Sequence, residues 1–178
     1  MNDSRIEDFV DGVTLNAMAD ILSVSDEKRL EAAACSVVNA FGLGDFSSIA
    51  NPAGDGENKL IASFNNNLML LIQKTWVEKS DVDLKAQVLY HLEQFIQSMK
   101  EKDYDASYPL FFSIVDDVVY LMFGAQTKTK EFDDYALRID PEFGIFWWYI
   151  KNLPRNVGWS QEKMRLATLI GMYFLANY

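Results

Sequence analysis

Asp116 and Asp117 stand side by side in PLFFSIVDDVVYLMFG, residues 109–124, a run with no other charge. At helical spacing Ser113, Asp116, Asp117 and Tyr120 fall in one stripe roughly 100° wide, and apolar side chains cover the rest. Adjacent carboxylates on such a helix require water, a cation or a hydrogen-bond network. The stripe can therefore be a solvent-facing edge. It can instead be a buried network joining the acids to Arg138, Lys163 or Arg165. The third reading is chemical: Asp116 and Asp117 as oxygen ligands for Mg²⁺ or Mn²⁺, or as a carboxylate acid/base pair in a hydrolase, with Ser113 and Tyr120 beside them.

The wider inventory argues against catalysis. DDVVY carries Tyr120 where the DDxxD pattern of prenyl-transferase type has its third acid. Di-iron bundles require Glu-x-x-His pairs, which are missing. The single histidine, His91, falls at the border between the apolar and polar faces of its helix, and Glu93, two residues on, points elsewhere. The single cysteine, Cys35, sits in EAAACSVV as a small apolar residue would. One His and one Cys on different helices do not make a nucleophile–base apparatus by design of the sequence. The sequence leans away from an enzyme.

A second concentration lies in DPEFGIFWWYIKNLP, residues 140–154, with five aromatics in seven positions. As a helix over 141–153, it puts Phe143, Phe146, Trp147, Ile150 and Leu153 within an arc of roughly 120°, an ordinary core face. Ile145 and Trp148 point to the far side. They suit a core covered on both sides, a protein interface or a wall of a small-molecule pocket shared with Trp147. Arg155 and Lys151 flank the run and can stack on its rings or anchor an anion. A hairpin through IDPEFGIF is the rival to this helix, since its flanks are β-branched and aromatic.

The elements that must position these residues read as helices almost throughout. Ser4 and Glu7 form a capping box ahead of Ile6, Phe9, Val10, Val13, Ala17 and Ile21. A second helix follows Ser25, with Leu30, Ala34, Val37, Val38 and Phe41 on one face. GLGDFSSIANPAGDGEN, residues 42–58, then breaks the pattern. It has no Gly-Lys-Ser/Thr for a phosphate loop and no calcium-loop register, so it reads as a linker. Helices are expected over 59–79, 82–102, 109–124 and 161–177, with DYDASYP as a turn and Pro109 in a first helical turn. TKTKEFDDYALRI is expected to be a loop running into a short helix. The expectation is an all-α, single-domain bundle of about seven to eight helices: an acidic N-terminal helical arm over 1–41, a Gly-rich linker over 42–58 and a bundle core over 59–178.

Bulk properties narrow the function. A chain of 178 residues with 49% apolar and 24% charged residues has enough core to fold without disulfides. Its net charge of −10 is concentrated in residues 1–58, where 3 Lys/Arg face 11 Asp/Glu. Such a field repels phosphate backbones, so nucleic-acid binding is not expected. No signal peptide or uncharged membrane span is read, so the expected location is the cytoplasm and no membrane partner is expected. The leading expectation is a non-enzymatic interaction module that binds a protein partner or a second copy of itself. The alternatives are a ligand- or metal-binding protein using Asp116 and Asp117, and an acidic inhibitor or immunity-type protein for a basic partner.

Overall fold

The computed structural model describes residues 54–76, 82–129, 131–153, 155 and 158–176. The helical pair expected over 1–41 and most of the Gly-rich segment lie outside these residues. The described part is all-α: α1 (Gly56–Trp76), α2 (Val82–Lys100), α3 (Tyr104–Phe123), a 3-10 turn (Gly124–Lys128), α4 (Phe132–Ile139), α5 (Pro141–Asn152) and α6 (Gln161–Ala176), with no strand among the described residues. This is fewer than the seven to eight helices expected, a number that included two over 1–41.

α1 starts at Gly56, inside the segment expected to be linker. The first turn forms early because Lys59 N–H donates to the Asp55 carbonyl and buried Glu57 finds partners in the core. Leu60, Ile61, Phe64, Leu68 and Ile72 then make one buried stripe at helical spacing.

α3 corrects the expected turn at DYDASYP, which is helical from Tyr104. Asp103 caps it by accepting from Ala106 N–H at 3.3 Å, and Ser107 Oγ lies 2.8 Å from Ser98 Oγ, joining α2 to α3. Pro109 consequently sits in the second turn. Its missing N–H leaves the Asp105 carbonyl without an intrahelical partner, on a side where Asp105 and Pro109 are both exposed to water. Lys102 closes α2 in the left-handed region at φ 57°.

The hairpin reading of IDPEFGIF is likewise replaced by helix. The Asp140 carboxylate accepts from Phe143 N–H at 3.2 Å, with Pro141 in the first helical position. Phe143, Phe146, Trp147, Tyr149, Ile150 and Leu153 are all buried.

α6 is the central element, and every residue from Lys163 to Met172 is buried. α1 and α3 both pack on it, α2 packs on α3, and α4 packs on α5. Phe64, Phe95 and Phe111 meet at centroid distances of 5.6–6.3 Å where α1, α2 and α3 converge. Phe146 stacks on Phe174 at 4.8 Å and ties α5 to α6. α3 is long and apolar enough, by length and composition alone, to cross a membrane, and 50% of that window is buried inside the fold.

Candidate functional site

The stripe on α3 is half-buried at Ser113, Asp116 and Asp117 and exposed at Tyr120. The two aspartates, one residue apart, turn to different partners. Asp116 takes the guanidinium of Arg155 as a fork, Nη1 to Oδ2 at 2.7 Å and Nη2 to Oδ1 at 3.2 Å. The same guanidinium lies 4.7 Å over the Phe112 ring. The Asp116 side chain remains 44% exposed, so this pair is worth at most about 1 kcal/mol.

Asp117 is the more enclosed acid, with 13% of its side chain exposed. Its Oδ2 lies 3.0 Å from His91 Nδ1, and Gln87 Nε2 donates to Oδ1 at 3.2 Å. An ionised carboxylate only accepts, so Nδ1 carries the proton in this pair. The arrangement links α2 to α3 and resembles two members of a triad in geometry. Ser113, on the same stripe, donates its hydroxyl to the Pro109 carbonyl at 3.4 Å, and Ser98 and Ser107 meet each other at 2.8 Å.

The buried network expected for these acids therefore has other members. Arg155, His91 and Gln87 serve Asp116 and Asp117, whereas Arg165 pairs with Glu57 and Glu162. Lys163 lies 4.3 Å over the Trp159 ring, and burial lowers its ammonium below the ordinary lysine range. Arg138 is exposed. Tyr120 lies under the Lys128 ammonium at 5.5 Å. Among the described residues there is no group of three or more His, Cys, Asp or Glu placed to hold a metal.

Of the aromatic candidates, Trp147 is core, edge-on to Phe132 at 5.5 Å. Ile145 and Trp148 lie on α5, and their side chains fall outside the described part. Tyr149, unassigned in the sequence, donates its hydroxyl to the Ala167 carbonyl at 3.1 Å, joining α5 to α6.

Sequence reasoning missed a second constellation. Glu57 accepts from Arg165 Nε at 2.9 Å and from Tyr104 Oη at 2.8 Å, deep in the core. Burial alone would pull Arg165 down, but the Glu57 carboxylate outweighs it and the guanidinium is held above its usual value. Tyr104 is pushed up, first by burial and then by the hydrogen bond to Glu57. Nothing in the sequence pairs residues 57 and 165, since their meeting depends on how α1 packs on α6.

Two grooves formed by described residues lie between α1 and α2, which touch each other less than either touches its main neighbour. One, about 400 Å³, is lined by residues that include Met69, Leu89, Leu92, Glu93 and Ile96. The other, about 580 Å³, includes Asn58, Ile61, Ala62 and Ile96, and Lys100 lines both. Neither contains Asp116, Asp117, Tyr120 or Trp147. Leu70, one turn after Asn66, is 63% exposed, and Tyr90, one turn before Glu93, is 60% exposed. No protein-family model, curated protein or solved structure matches the chain.

Proposed function

We propose that the chain is a non-enzymatic helical interaction module that recognises a protein partner or a second copy of itself. The observation that carries this reading is the pair of open grooves between α1 and α2, which mix apolar side chains such as Met69, Leu89 and Ile96 with polar ones such as Asn65, Gln97 and Lys100, together with the exposed Leu70 and Tyr90 on the same two helices. Exposed aromatic and aliphatic side chains beside a concave surface are what recognition of a protein segment uses. The polar side chains of the α3 stripe have structural work: Asp116 holds Arg155 and Asp117 holds α2 to α3.

Native mass spectrometry of the purified chain at several concentrations, paired with a denaturing spectrum, tests the reading. A non-covalent dimer that grows with concentration and weakens in a Leu70→Asp, Tyr90→Asp variant is the expected result. A monomer carrying extra metal or small-molecule mass overturns it in favour of a ligand- or metal-binding protein. In that case stabilisation by Mg²⁺ or Mn²⁺ would have to vanish in the Asp116→Ala, Asp117→Ala variant. A bare monomer would leave an external partner, with the net charge of −10 favouring a basic one.

A further inference from the structure

Glu93 and Lys100 lie on the same side of α2 and line the same groove. Seven residues apart, they share a helix face and stand ~10 Å from each other along its axis. Both are exposed, and neither forms an ion pair among the described residues. Within α2 the positions three and four residues away, where a helix pairs its surface charges, hold Leu89, Tyr90, Ile96 and Gln97. One charge of each sign at this spacing makes the face complementary to itself. With α2 of a second copy laid antiparallel and the two-fold axis between Ile96 and Gln97, Glu93 of each copy meets Lys100 of the other.

The rest of the face suits such a contact. On the helical wheel Tyr90, Glu93, Gln97 and Lys100 fall within roughly 80°. Half-buried Leu89 and Ile96 continue that arc toward α1, where Asn65 and Met69 line the same groove. Apolar side chains interleaved with amides are the make-up of a contact between folded copies whose rim stays wet. Charge points to the same place. A chain of net charge −10 repels its own copies, whereas residues 56–100 hold five Lys against five Asp/Glu. Two copies approach through this stretch without that general repulsion.

We propose that the α2 face of Glu93, Ile96, Gln97 and Lys100 is a two-fold contact with a second copy of the chain, its antiparallel register set by two reciprocal Glu93–Lys100 pairs. The inference rests on the interaction reading and names the partner of that surface.

Charge reversal tests it on the full-length chain, by native mass spectrometry over a concentration series. Glu93→Lys and Lys100→Glu each set like charges across the axis, and each should raise the dimer Kd about tenfold. The double variant, Glu93→Lys with Lys100→Glu, should recover the original Kd. An equal mixture of the two single variants, one of them ¹⁵N-labelled, should give the mixed dimer. Both positions are exposed, so circular dichroism should be unchanged. Four results overturn the proposal: a monomer at every concentration, a dimer indifferent to the single reversals, a dimer strengthened by Glu93→Lys through the loss of net negative charge, or a loss that the double variant does not repair. A dimer that persists through the reversals rejects this register and spares the interaction reading, whereas a monomer carrying metal or small-molecule mass rejects both.

Discussion

Glu57, Arg165 and Tyr104 show how much a single buried carboxylate can organise. The Arg165 side chain is 3% exposed, and removing Glu57 would take away the buried carboxylate at its Nε and leave Glu162, 34% exposed, at its Nη1. Glu57→Ala should therefore destabilise the chain by about 3–5 kcal/mol, with Glu57→Gln costing less, in urea unfolding. Arg155→Ala, which breaks the exposed fork with Asp116, should cost at most about 1 kcal/mol in the same assay. The buried tyrosines set the alkaline limit. Burial raises Tyr149 and Tyr108, and burial with Glu57 raises Tyr104. The unfolded chain ionises its tyrosines near pH ~10 while the folded chain does not, so the stability they contribute is full below that pH and is lost as it rises. Lys163 acts with the opposite sign, since its lowered value penalises the folded state until it deprotonates. Three tyrosines outweigh one lysine. Urea stability followed from about pH 9 to about pH 12 should fall, with tyrosinate absorbance appearing at the unfolding transition, and less steeply in Tyr149→Phe.

Two backbone decisions at the scale of the helices carry sharp tests. α6 approaches α3 so closely at Gly171 that an added Cβ would stand 2.5 Å from the buried Phe111 ring. Gly171→Ala should cost about 1–3 kcal/mol by overpacking, visible as a lowered Tm, although alanine is the better helix former. Lys102 does the reverse. It holds a left-handed backbone at φ 57° at the end of α2, where glycine meets no steric penalty. Lys102→Gly should raise stability by up to about 1 kcal/mol, provided the α2–α3 turn is unchanged. The early start of α3 belongs to this scale as well. Pro109 argues locally for a helix start, but the Asp103 cap and the burial of Tyr104 and Tyr108 lie upstream of it and decide the boundary.

For the whole molecule, self-association and metal response separate the leading readings. Mg²⁺ or Mn²⁺ should leave Tm unchanged if Arg155 and His91 are the working partners of Asp116 and Asp117, and a rise abolished by Asp116→Ala, Asp117→Ala would reverse that assignment. The all-α class, the apolar stripe of α1 and the core face of α5 were legible because a period of 3.6 is written locally, residue by residue. The α3 stripe was legible for the same reason, as a set of residues sharing one face. Its partners were not. Asp117 meets His91 across 26 positions, Asp116 meets Arg155 across 39, and Glu57 meets Arg165 across 108. Such pairings depend on which helix faces which, and no local pattern encodes that. The sequence by itself determined which side chains had to find cover; only the packing of α2 and α6 on α3, and of α1 on α6, decided what covered them and where a groove stayed open.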